Sequence, residues 1–287
     1  MTVGRRGLFW LLVLPPVIVI VLFVVAPLIL TAVISVRPDQ RPPLLAGFDP
    51  TLEHYQNLFE KGAYWGLLGV SIGLAAIVAM IATVLAYPVA YFLAFRAGER
   101  ATLLLLLLLI PFWTSFLLRV MAWKLILGSD GALNSVLLGT GLISEPLAAL
   151  LYNRTAVAIT LVYVWIPFAT LPILANLQRV DPALHDAAAD LGASPFSQFL
   201  RVTLPLSVPG VIACFFMVFI PTVGEYVTPI LVGGSRGTLF GNIIQDFFTK
   251  AANWPLGSAL SMIMLVGTIT LVAVALRLID VRRFAPR

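Results

Sequence analysis

Gln178-Arg-Val-Asp-Pro-Ala-Leu-His-Asp-Ala-Ala-Ala-Asp-Leu-Gly-Ala-Ser-Pro-Phe-Ser-Gln-Phe-Leu-Arg-Val-Thr-Leu-Pro205 is the most informative stretch of the chain. Asp181 before Pro182 makes an N-cap followed by an N1 proline, and Gly192 is a natural C-terminal stop. Residues 182–191 are therefore predicted to form a short helix. Ala183, Leu184, Ala187, Ala188 and Leu191 fall on one apolar stripe of it, with Asp186 and Asp190 four apart on another face. Ser194-Pro195 restarts a second short helix, expected to end at Leu204-Pro205. The small alanines leave room for another protein's surface to approach closely.

Outward from this polar pair, the chain turns strongly apolar in both directions. Six runs read as membrane spans: residues 8–36, 66–95, 102–127, 155–177, 206–232 and 258–279. Each meets the requirement of about 20 apolar residues set by a hydrocarbon core about 30 Å thick. Of the 287 residues, 60% are hydrophobic and only 11% charged, and mean hydropathy is +1.02. The fold class read from this is an all-α membrane protein of six transmembrane helices, a single domain over residues 1–287 with a polar loop at 178–205. The run at 8–36 follows Arg5 and Arg6, but it exceeds a signal-peptide core of about 7–15 residues and lacks an Ala-x-Ala site. It reads as a retained first helix.

Six spans put both termini on one side, and the charges name that side. Residues 1–7, 96–101, 178–205 and 277–287 hold ten basic and five acidic residues, a net +5, whereas the remainder carries eight of each. Lys and Arg collect on the cytoplasmic side of short loops, so both termini and the 178–205 loop are expected in the cytoplasm. The other connections are longer. Residues 37–65 open with a proline-rich segment that cannot be helical, then give Leu52-Glu-His-Tyr-Gln-Asn-Leu-Phe59, whose apolar positions suit a surface helix. Residues 233–257 mix Gly, Asn and Trp around a short apolar stretch. These outer loops can receive an external partner.

Several function classes are excluded. The formal charge of +5 comes without a basic patch interleaved with aromatics, so nucleic acid is not expected as a partner. Cys214 is the single cysteine and lies in an apolar run, so it forms no internal disulfide. No Cys/His cluster suggests a metal, and His54 and His185 fall in connections on opposite sides. Neither a Gly-x-Ser-x-Gly elbow nor His-Glu-x-x-His is present, so no catalytic residues are assigned. Gly69 and Gly73 form a Gly-x-x-x-Gly pair, which most simply reads as close helix packing.

The segment Asp186-Ala-Ala-Ala-Asp-Leu-Gly192, nine residues, then Val202-Thr-Leu-Pro205 resembles the EAA loop of binding-protein-dependent ABC importer permeases. The family pattern reads Glu-Ala-Ala, three residues, Gly, nine residues, Ile-x-Leu-Pro. Every spacing fits, with Asp186 replacing Glu and Val202 replacing Ile. Ala86-Tyr-Pro-Val-Ala-Tyr-Phe92, Pro111-Phe-Trp-Thr-Ser-Phe-Leu-Leu-Arg119 with Ala122-Trp123, Gly131-Ala-Leu-Asn134 and Gly224-Glu-Tyr-Val-Thr-Pro229 look like spermidine/putrescine-type permeases. Relatives in that clade carry opines, amino-acid derivatives or aminophosphonates.

The resemblance implies a type I importer transmembrane domain. In the family this loop is a coupling helix that docks into a groove on the ATPase, which assigns ATPase coupling to Asp186, Ala187, Ala188, Gly192, Leu204 and Pro205. The implied partners are a second, similar permease chain, two ATP-binding-cassette subunits, an external periplasmic or lipid-anchored binding protein and the lipid bilayer. No Gly-x-x-x-x-Gly-Lys-Ser/Thr loop occurs, so ATP and Mg are expected on the partner ATPases and this chain binds no cofactor and is not itself an enzyme. The expected place is the bacterial inner membrane, crossed several times.

Two ionisable residues fall inside spans, where a bare charge costs roughly 2.5–3.5 kcal/mol on insertion scales. Counted at about 1.5 Å per residue, Glu225 lies roughly 24 Å from the inner face and Arg119 roughly 26 Å. Glu225 is open to three readings: contact with an ammonium group of a cationic cargo, pairing with Arg119, or reaching the outer interface. Arg119 can also snorkel to headgroups. Trp113, Trp123 and Tyr226 suit either a cation–π lining or an interfacial aromatic belt. An intramembrane enzyme would need a richer polar cluster at depth, and an ion-coupled secondary transporter would show repeats and no coupling loop.

Overall fold

A computed structural model describes residues 5–38, 49–60, 62–147 and 150–278, with side chains from Trp10 onward. Most of the proline-rich segment, and Asp280, Arg282, Arg283 and Arg287 of the charge reading, lie outside the described residues. Two compact units emerge. The first takes the chain up to Trp65 together with Ile243–Gly267, and the second takes Gly66–Asn242 and the chain from Thr268 on.

In the first unit, α1 (Arg5–Ile20) and α2 (Ala26–Ile34) join through a wide π turn at Val21–Val25, where the Ala26 N–H reaches back to the carbonyl of Val21. None of the apolar window of Trp10–Ile34 is buried within the chain. The amphipathic stretch forms α3 (Glu53–Glu60), with Leu58 2% exposed. Tyr55 donates to Ser35 Oγ at 2.7 Å, and Ser35 passes its own proton to the carbonyl of Ala32. Most of α12 (Phe240–Thr249) and the first half of α13 (Trp254–Leu278) complete this unit.

The second unit is built on α4 (Gly62–Phe95), α8 (Arg154–Leu177) and α11 (Leu204–Val223). α8 and α11 are its most extensively packed pair. They bury Val157, Leu161, Ile173 and Leu177 from one side and Cys214, Val218 and Phe219 from the other. Asn153 caps α8 by accepting the Ala156 N–H at 2.9 Å, as an N-cap asparagine does. A Cβ placed on Gly69 or Gly73 would meet nothing within 4 Å, so this pair marks no close helix packing within the described chain.

Among the described residues, five helices are long and apolar enough to span a membrane: Trp10–Ile34, Gly62–Phe95, Arg154–Leu177, Pro195–Val223 and Trp254–Leu278. The run expected as one span at 102–127 is instead two helices, α5 (Ala101–Trp113) and α6 (Phe116–Leu127), in a segment bent by 86°. Pro111 lacks an N–H, its carbonyl is taken by the Thr114 hydroxyl at 2.6 Å, and Thr114 and Ser115 are extended. A straight count from Thr102 therefore does not give the depth of Arg119. α7 (Ala132–Gly139) follows, its buried Asn134 tying the carbonyl of Gly128 to the N–H of Leu147.

The run expected at 206–232 also differs. α11 stops at Val223 after Pro221, and the chain restarts beyond Tyr226 to end in a π turn at Pro229–Gly233. At its other end α11 begins earlier than expected. α10 (Pro195–Gln198), a π turn at Phe199–Thr203 and α11 form one apolar helix of 29 residues. Leu204-Pro205 does not end it: the Leu204 N–H bonds to the carbonyl of Phe199, five residues back, and the widened turn accommodates a proline that has no N–H to give.

Candidate functional site

The hairpin between α8 and α11 is built by its caps. Asp181 accepts the Ala183 N–H at 2.9 Å and opens α9 (Pro182–Asp190). At the far end Gly192 has φ +78°, with its N–H on the carbonyl of Ala189 and the Ala193 N–H on the carbonyl of Ala188. That pair of bonds is a Schellman stop, and the left-handed residue it needs is a glycine at little steric cost. Ser194 then accepts the Ser197 N–H at 3.3 Å to start α10.

Asp186, Ala187 and Gly192 are exposed, Ala188 half-buried, and Leu204 and Pro205 half-buried at the base. Leu191 is 88% and Phe196 70% exposed. The tip thus presents two large apolar side chains beside two aspartates. A cavity of about 510 Å³ between the helices is lined by Ala188, Gly192, Ser194, Gln198 and Arg201.

Glu225 sits in the break of the fifth span, half-buried, and its Oε1 accepts the Thr228 N–H at 2.9 Å. Its carboxylate therefore caps the restarted helix, where the N-terminal end favours a negative charge. Asn242 holds the same break from outside, donating to the carbonyl of Tyr226 at 2.8 Å while accepting the Leu239 N–H at 2.9 Å. A Cβ on Gly241 would meet the carbonyl oxygens of Gly224 and Glu225 at 2.7 and 2.8 Å, so only glycine fits against this turn. Neither the cap nor the clamp was read from the sequence. A carboxylate three residues before Thr228-Pro229 was the available sign.

Arg119 is not paired with Glu225, whose carboxylate is engaged by the Thr228 N–H. Arg119 is 8% exposed, its Nε without a hydrogen-bond partner and its guanidinium 5.2 Å from the Phe112 ring and 5.9 Å from the Phe116 ring. Phe112 in turn packs on Phe168 at 4.4 Å. Trp123 lies against Tyr163 of α8 at 5.4 Å. These two line an apolar cavity of about 770 Å³ with Gly73, Ile77, Arg154 and Ile159. Glu225, Tyr226, Trp113 and Arg119 do not line that cavity, and Trp113 is 77% exposed at the end of α5.

Two solved structures of bacterial alginate ABC transporters match this architecture. One, in complex with an alginate-bound periplasmic protein, has TM-score 0.70 at 17% identity, covering 98% of this chain and 96% of that one. The other has TM-score 0.72 at 15% identity, covering 99% and 98%. The fold is that of a type I importer transmembrane domain. The family model for the binding-protein-dependent transport system inner membrane component matches residues 5–285, and the chain belongs to that family.

Among curated relatives, the spermidine/putrescine transport system permease protein PotB of Haemophilus influenzae is 36% identical over 243 residues, 85% of this chain and 84% of its own. The protein of the same name from Escherichia coli K12 is 37% identical over 216 residues, 75% and 78%. The inner membrane ABC transporter permease protein YdcU of Escherichia coli K12 is 31% identical, covering 75% and 72%. The chain is thus an ABC importer permease of the bacterial inner membrane. Permeases of this kind work with a binding protein and with ATPase subunits, where hydrolysis takes place.

Proposed function

We propose that this chain forms half of the membrane path of an ATP-driven polyamine importer, paired with a second, similar permease, two ATPase subunits and an external binding protein. The observation that carries the cargo is 36–37% identity, over three quarters or more of the chain, to permeases named for spermidine and putrescine. The family match through residues 5–285 supports reading the whole chain as one transmembrane domain. Both termini lie in the cytoplasm on the strength of the Lys/Arg asymmetry.

The hairpin tip is the lever. Asp186, Ala187 and Ala188 on α9 and Gly192 at its stop, with Leu204 and Pro205 at the base of α11, dock on an ATPase partner, and the exposed Leu191 and Phe196 fill its groove. ATP and Mg belong to that partner, and this chain binds neither. Closure of the ATPases moves the hairpin and alternates the path between faces. Glu225, Tyr226, Arg119, Trp113 and Trp123 are the residues assigned to the path. An opine, amino-acid derivative or aminophosphonate is the alternative cargo, in the same permease role.

The test is ATP-driven uptake of labelled spermidine and putrescine into vesicles holding the full complex. Entry of either one, inhibited by Gly192→Asp, is the expected outcome. If neither enters with the native chain, the cargo is wrong and the permease role stands.

A further inference from the structure

Four residues of α4 at successive steps of four, Thr83, Tyr87, Tyr91 and Phe95, form one ridge. Each one touches the hairpin, its helix extension or a neighbour on the ridge. Thr83 Oγ1 lies 3.2 Å from Cys214 Sγ on α11. Tyr87 Oη lies 2.8 Å from Ser207 Oγ, and Ser207 donates its proton to the carbonyl of Leu204 at 2.9 Å. With one hydroxyl proton committed there, Tyr87 is the donor to Ser207, which links α4 to the Leu204-Pro205 base.

Further toward the hairpin tip, the rings of Tyr87 and Tyr91 both meet Phe199 edge-on, at 5.8 and 5.9 Å. Tyr91 packs on Phe95 at 5.0 Å, and Phe95 meets the His185 ring of α9 edge-on at 5.3 Å. His185 Nε2 lies 3.0 Å from Thr203 Oγ1, and Thr203 is fully buried. Phe199 and Thr203 are the first and last residues of the π turn, so the widened turn aims both at this ridge and at His185. The hairpin already continues by covalent bonds into α8 and α11. The ridge adds a third, non-covalent attachment, to α4.

We propose that the Tyr87–Tyr91–Phe95 ridge, locked through Phe199 and His185, is the strut that carries displacement of the hairpin into the second span, with His185 as its positioning residue. Directional edge-on ring contacts and hydroxyl bonds hold one arrangement and resist sliding, so α9 cannot shift without drawing the inner end of α4 with it. The three ridge residues cover about 12 Å of α4 at 1.5 Å per residue, so the lock grips the inner end of the span rather than a single turn of it. The inference rests on the coupling role of the hairpin.

The experiment uses the full complex in vesicles and reads two quantities: ATP hydrolysis stimulated by loaded binding protein, and cargo molecules moved per ATP. His185→Ala and Tyr91→Ala are expected to keep stimulated hydrolysis while cargo per ATP falls about 5-fold or more, the low end for coupling between two sites. Tyr91→Phe keeps the ring and is expected to match the native ratio. If His185→Ala fails to assemble, His185→Gln, which retains a donor for Thr203 but removes the ring from Phe95, reads the same ratio. An unchanged ratio in the alanine variants, or hydrolysis and uptake falling together in proportion, overturns the strut. Gly192→Asp separates the two claims: if it leaves stimulated hydrolysis intact, the coupling reading itself has failed.

Discussion

The Glu225 carboxylate accepts the backbone N–H of Thr228 at 2.9 Å, so the one acidic group in the fifth span is engaged by its own chain. A carboxylate doing this in a half-buried helix break has a structural duty that exists without any cargo. The two duties separate by substitution. Glu225→Gln retains an acceptor oxygen for Thr228, and Glu225→Ala removes it, at a cost of about 1 kcal/mol for a lost cap. Thermal unfolding of the detergent-solubilised complex is expected to show Gln near native and Ala lower. If Gln also transports at the native rate, Glu225 is a cap alone and makes no charge contact with a cation.

Gly192 offers a cleaner separation of conformation from bulk. Its φ of +78° lies in the left-handed region, where a Cβ costs roughly 1–2 kcal/mol per residue, and asparagine pays least of the non-glycine residues. No neighbour lies within 4 Å of a Cβ placed there, so crowding within this chain contributes nothing. Gly192→Asn is expected to retain more uptake than Gly192→Val, with binding of the ATPase subunit following the same order. Equal loss in both variants would show that the partner's groove, not the backbone turn, excludes the side chain.

The hairpin was legible because its signals are local: Asp181-Pro182, Gly192 and Ser194-Pro195 each act on backbone groups two to five residues away. The apolar spans were legible for a similar reason, since composition over about 20 residues decides them. The break after Trp113 was not. Nothing in a leucine-rich run marks where its carbonyl ladder ends, and only Pro111 hinted at it. Continuity through Leu204-Pro205 was missed because proline was read as a stop for an α-helix, and a π turn relaxes that rule. The contacts of Asn242 with Tyr226 and of His185 with Thr203 and Phe95 join residues 16, 18 and 90 positions apart that no spacing rule connects.

Arg119 is a buried cation set against two phenylalanine rings with no carboxylate at hand. Ring contacts repay part of its desolvation, about 0.5–2 kcal/mol. Methionine fills similar space without the charge, so Arg119→Met is expected to hold or raise the unfolding temperature of the complex, while Phe112→Ala lowers it by opening the packing with Phe168. A drop in stability for Arg119→Met would mean that the guanidinium meets an anionic group supplied by another subunit.

Sidedness can be read with a single thiol. Cys214 is fully buried, so the native chain is expected to resist a membrane-impermeant maleimide in intact and in permeabilised cells alike. That silent background makes introduced cysteines informative. Leu191 at the hairpin tip is 88% exposed and Leu52 just before α3 is 62% exposed, and the charge asymmetry assigns them to opposite sides of the membrane. Leu191→Cys is expected to react only after the inner membrane is permeabilised, and to be shielded when the ATPase subunit is bound. Leu52→Cys is expected to react once the reagent reaches the periplasmic face, with the inner membrane still sealed. Reaction of Leu191→Cys from that same face would invert the topology, and with it every assignment of the hairpin to the ATPase side.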